Sequence, residues 1–152
     1  MSSPFITIPR GFSYVAAATV STSYLLFWQS KRVVRARRAA KIEYPQLYAE
    51  KSECETNEHA KKFNCVQRAH QNTLENMPMV LVNTLIMGLK FPVAAASICG
   101  LWTLTRVMYT LGYSTGDPQK RFAYGGTGAL YTQVGLILGS TWAVVEFIYA
   151  GL

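Results

Sequence analysis

Arg68, Asn72 and Glu75 recur at helical spacing, and so do Trp102, Arg106, Tyr109 and Tyr113 further along the chain. At about 100° per residue, each set falls within an arc of about 60°. Each is a narrow polar stripe on a stretch rich in apolar residues. If those stretches lie in lipid, a charge at a helix centre costs about 2.5–3.5 kcal/mol on insertion scales. Such side chains then face an interior or a wet cavity. Two readings follow. In one, an internal ion pair, for example Glu75 with Arg106, fixes helix packing. In the other, the stripes form a polar ligand site. Arg68, Arg106, Lys120 and Arg121, with Arg37 and Arg38 nearby, outnumber Glu75, and an uncompensated cationic pocket calls for an anion. Tyr109 and Tyr113 would add hydroxyl donors on one face, or else belong to an interfacial aromatic belt.

The elements that must carry these stripes are set by where charge is missing. The chain has 152 residues, of which 50% are hydrophobic and only 15% charged. Gly11–Ser30 and Phe122–Val145 hold no charged residue, nor do Asn76–Leu89 and Phe91–Thr105. A bilayer-spanning helix takes about 20 mostly apolar residues. One soluble core cannot readily absorb four such runs in so short a chain. This pattern argues against a water-soluble enzyme, a disordered tail and a disulfide-stapled domain. It predicts an all-α, integral membrane four-helix bundle in a single domain, residues 1–152. The helices are expected at about 11–40, 63–89, 92–114 and 122–149, with a cytosolic loop at 41–62. The second helix must start near Phe63, because Asn76–Leu89 alone spans only about 21 Å. Pro78 is expected to kink it. Gly135 and Gly139 form a GxxxG pair that permits close helix approach.

Charge also orients the chain. The net charge is +7, and twelve of the fifteen basic residues belong to the first and third loops and their helix ends. Arg10 and Lys90 lie on the opposite side. The positive-inside rule then places those loops in the cytosol and both termini in the lumen or exterior. The basic cluster Lys31–Lys41 follows the first apolar run, which is the reverse of a secretory signal and argues for a retained anchor. Basic heads placed there serve topology, so no nucleic-acid partner is expected. Cys54, Cys65 and Cys99 are odd in number and lack CxxC spacing, so neither a disulfide framework nor a metal site is expected.

Three longer stretches carry a family resemblance. They are FNCVQRAHQNTLE at Phe63–Glu75, RVMYTLGYSTGDPQKR at Arg106–Arg121 and ARRAAKIEYP at Ala36–Pro45. Together they resemble the membrane-associated proteins in eicosanoid and glutathione metabolism, most closely the microsomal glutathione transferase branch. The resemblance runs from the first helix to the fourth. It implies a homotrimer of four-helix subunits in the endoplasmic reticulum membrane. Glutathione would be the co-substrate, bound between neighbouring subunits near the cytosolic face, with no metal. By position, Arg68, His70, Asn72, Glu75, Arg106, Tyr109 and Tyr113 fall in the glutathione-binding set. Arg37 matches a basic residue at the end of the first helix that is contributed to the glutathione-binding site, and its neighbour Arg38 falls in the catalytic set. The thiol-activating arginine would be Arg121, with Lys120 as the alternative, since the spacing from Tyr113 is one residue longer than in leukotriene-synthase-like relatives. Asn76 and His70 also depart from those relatives, which often carry tyrosine and glutamine there. The implied chemistry is transfer of the glutathione thiolate to a lipophilic electrophile or reduction of a lipid hydroperoxide, in contact with membrane lipids. A non-catalytic lipid-binding scaffold of the same family, and a purely structural membrane adaptor, are the other readings.

Overall fold

A computed structural model describes residues 8–151, so residues 1–7 and 152 of the expected domain lie outside the described residues. The described residues are helical, with no strand among them. Helix α1 spans Phe12–Ala40, α2 Lys51–Thr56, α3 Glu58–Lys90, α4 Pro92–Tyr113 and α5 Thr127–Tyr149. The long helices α1, α3, α4 and α5 pack against one another.

Helix α1 runs through its basic cluster and stops at Lys41, whose left-handed φ of 59° lets the backbone N–H reach back to the last turn. The buried Arg37 guanidinium then donates to the carbonyls of Gln46 at 2.6 Å and Glu43 at 3.3 Å. This pins the chain as it reverses. The segment expected as a loop at 41–62 holds the short helix α2 and the first turn of α3, five residues before Phe63. Asn57 caps α3 by accepting from the His59 N–H at 2.9 Å. That N-cap, with Glu58 in the first turn, was the signal for the earlier start. Asn64 holds the reversal onto α3 through two bonds to the Ala49 backbone, at 2.8 and 2.9 Å.

Helix α3 continues unbroken through Pro78. Phe91 alone joins it to α4, and Pro92 takes the first-turn position where its missing N–H is not needed. The fourth long helix differs from the continuous one expected at 122–149. Phe122–Gly126 is kinked at Gly125, whose φ of 148° is not helical, and the regular helix starts at Thr127. A Cβ at Gly125 would lie 2.6 Å from the Thr105 carbonyl oxygen, so glycine is what allows this turn to lie on α4.

The main core joins Val15 and Leu25 of α1, Met77, Val80 and Met87 of α3, Cys99 and Trp102 of α4, and Leu136 of α5. A smaller one, around Phe63, Ile42 and Ala60, anchors the polar end. Between them sits a buried amide. Gln29 Nε2 donates to Thr73 Oγ1 at 2.9 Å and to Thr110 Oγ1 at 2.7 Å, tying α1 to α3 and α4. The outer faces are apolar: Tyr24, Phe27, Val82, Leu104, Leu138 and Trp142 are all exposed. Among the described residues, Phe122–Tyr149 is long and apolar enough by composition alone to cross a membrane. The helices α1, α3 and α4 have 29, 33 and 22 residues but mix polar groups into the apolar stretches.

Candidate functional site

Asn72 of the α3 stripe and Arg106 and Tyr109 of the α4 stripe meet in a cleft of about 370 Å³ between α3, α4 and the start of α5. Its polar lining includes Asn72, Asn76, Arg106, Tyr109, Arg121 and Gln133, and Phe122, Ala129 and Leu130 supply an apolar wall. A charged ligand head and a lipophilic group can therefore meet in one space.

Arg106 is 3% exposed. Its guanidinium donates to Asn72 Oδ1 at 2.9 Å and lies over the rings of Tyr109, at 4.9 Å, and Trp102, at 5.3 Å. Its Nε has no hydrogen-bond partner among the described residues. The expected Glu75–Arg106 pair is not what the structure contains. Glu75 instead accepts from Arg68 Nη1 at 2.8 Å, two turns along the same helix, with both side chains nearly half exposed. The seven-residue separation puts these two on one face, which makes the nearer partner the one along α3.

Tyr109 and Tyr113 meet edge to face with centroids 5.6 Å apart. Arg121 lies 5.4 Å from the Tyr113 centroid and 4.3 Å from that of Phe122, and donates to the Pro118 carbonyl at 2.7 Å. Its guanidinium is thus steered by two rings and one loop carbonyl. Lys120 is exposed and does not line the cleft. On the far side of Tyr113, a second hollow of about 280 Å³ is lined by Arg68, Tyr48, Asn64 and Cys65.

Several anticipated residues lie outside the first cleft: Arg68 and Tyr113 line the second hollow, and Glu75 lines neither. His70 faces α1, with Nδ1 3.4 Å from Gln29 Oε1. Arg37 is buried at the chain reversal, stacked at 4.5 Å from Tyr44 and 4.6 Å from Phe63. Its neighbour Arg38 is exposed. Sequence reading missed Gln133, whose Nε2 donates to Asn76 Oδ1 at 2.7 Å across the cleft. It is the one amide in the uncharged run Phe122–Val145, and that isolation was the available signal.

A fold of long helices with a cationic, aromatic-lined cleft at its polar end agrees with the comparisons. The model of the MAPEG family matches residues 15–142, and the chain belongs to that family of glutathione-related membrane proteins. The chain is also similar to leukotriene C4 synthase of Cavia porcellus, with 30% identity over 125 residues, covering 80% of this chain and 76% of the relative.

Proposed function

We propose that this chain is a membrane-bound glutathione transferase with glutathione-dependent peroxidase activity toward lipophilic substrates. The observation that carries this reading is the single cleft in which Arg121, Tyr109 and the Arg106–Asn72 pair face an apolar wall. Family membership and the likeness to leukotriene C4 synthase support the use of glutathione.

Glutathione carries two carboxylates, an ammonium and a thiol. In the proposed complex, Arg68 takes a carboxylate, because a guanidinium fork matches it bidentately. Glu75 takes the ammonium. Their mutual ion pair is half exposed, and such pairs are worth about 0–1 kcal/mol, so opening it costs little. Asn72 is oriented by Arg106 toward the peptide groups, which makes Arg106 a positioning residue. Tyr109 and Tyr113 supply hydroxyls. Arg121 stabilises the thiolate, lowering a thiol pKa that is otherwise near about 8.5.

The thiolate sulfur attacks an electrophilic carbon. A carbon–sulfur bond forms, the carbon–oxygen or carbon–halide bond breaks, and the leaving group departs with the electron pair. Against a hydroperoxide it attacks the distal oxygen. The O–O bond breaks, the lipid alkoxide takes a proton, and a second glutathione converts the sulfenic acid to disulfide and water. Four membrane crossings with the cleft toward the cytosol are supported by the apolar outer faces and the charge pattern, and the endoplasmic reticulum by the family likeness. The functional unit is a homotrimer, and the exposed Arg38 is the basic residue free to reach a neighbouring subunit.

The test is ultraviolet absorbance of glutathione thiolate bound to purified protein. Arg121→Ala should remove that signal and shift the pH–rate profile upward toward the free thiol, while Lys120→Ala should leave it in place. A thiolate band unchanged in Arg121→Ala would remove Arg121 from this role. Absence of glutathione binding to the folded wild-type chain would instead favour the non-catalytic lipid-binding scaffold.

A further inference from the structure

One face of α1 carries two clefts that the proposed chemistry does not use. The first, about 380 Å³, is apolar and lies between α1 and α4, lined by Tyr24, Leu25 and Trp28 with Thr103 and Val107. The second, about 340 Å³, lies between α1 and α3 and is lined by Arg32, Arg35, His59 and Lys62 over Ala36 and Val66. No Asp or Glu lines either cleft. The α1 residues of both clefts fall within an arc of about 120°, so the two follow one another along one face of the helix. They run from Ser21 to Ala39, about 27 Å of helix. One bilayer leaflet with its headgroup layer is about 20–22 Å thick.

The boundary between the clefts has the chemistry of a membrane interface. Arg32 lies 5.0 Å from the Trp28 ring centroid, and Lys31 lies 5.1 Å from that of Phe27. Arg32 Nε is buried without a hydrogen-bond partner among the described residues. A buried donor on a cation, beside a basic cleft without acidic residues, is suited to an anionic acceptor.

We propose that this face of α1 binds one anionic phospholipid, with the phosphate headgroup between Arg32, Arg35 and Lys62 and an acyl chain along Leu25 and Trp28. Lipid is the occupant because the basic cleft ends at Arg32 and an apolar one begins at Trp28, one helical turn away. A free phosphate would use only the basic half. The inference rests on the membrane reading above, and the two fail separately.

The test uses the full chain in mild detergent with defined lipids, read by native mass spectrometry. Phosphatidylserine should be retained over phosphatidylcholine, and Arg32→Gln/Arg35→Gln should lose that preference by about fivefold per cation removed. Lys62→Gln, on the opposite wall, should weaken it by a similar factor if the double variant does not fold. Equal retention of the two lipids would overturn the proposal. So would displacement of phosphatidylserine by inorganic phosphate at matched concentration, which would show that the apolar cleft contributes nothing. Subunit dissociation in these variants with lipid retention unchanged would assign the face to a second copy, and also overturn it. A chain that alkaline carbonate strips from vesicles fails the membrane reading itself.

Discussion

At the scale of single residues, the division of labour is sharpest between Arg68 and Glu75. They neutralise each other at 2.8 Å, yet each is suited to an opposite charge on one ligand. Glu75→Gln should therefore raise KM for glutathione about tenfold, roughly one charge-assisted hydrogen bond, with a smaller effect on kcat. Steady-state kinetics at saturating electrophile would show it, and an equal fall in kcat with KM unchanged would contradict the assignment. Much of this site was legible in the sequence. Asn72, Arg106, Tyr109 and Arg121 were marked by polarity at helical spacing or by the family motif, and they share the cleft. Arg37 and His70 were marked by position alone, and local geometry sends them elsewhere. A basic residue three positions from a helix end is as well suited to capping the following turn as to reaching a ligand, and one-dimensional spacing does not separate the two.

At the scale of elements, long uncharged runs located the four long helices, because helix period and lipid length constrain them strongly. Short polar elements lacked any such constraint. Helix α2 has six residues and buries none of them, so it left no apolar pattern to read. The kink at Gly125 was also invisible to hydropathy, because a change in backbone angle does not change composition. The GxxxG pair divides unequally. A Cβ at Gly139 would meet the Met87 sulfur at 2.5 Å, whereas one at Gly135 would find Ile98 at 3.9 Å. Gly139→Val should thus destabilise the chain by about 1–3 kcal/mol through overpacking against α3. Gly135→Ala should stay within about 0.5 kcal/mol of wild type. Thermal unfolding in detergent would compare the two, and equal losses would mean that the pair acts as one motif.

At the scale of the molecule, the charge distribution and the apolar exterior make one prediction about orientation. A glycosylation acceptor in a C-terminal extension should be modified in microsomes, while the same acceptor at Gln119 should not. The reverse pattern would invert the topology and move the cleft away from cytosolic glutathione. Gln29 adds a test of the packed interior. Gln29→Leu leaves Thr73 and Thr110 without their shared donor and should cost about 1–3 kcal/mol, measurable as a lower unfolding midpoint.

The same amide bears on how the chain is made. Gln29 is synthesised in the first helix, but its partners follow 44 and 81 residues later. Until Thr110 emerges, the carboxamide has no complete set of acceptors in the nascent protein. In the proposed membrane topology, the first helix is thus left unfinished during translation and settles only when the third long helix arrives. A truncated or stalled product would display a bare amide in the hydrocarbon layer, a chemical mark by which membrane quality control could tell an incomplete chain from a finished one.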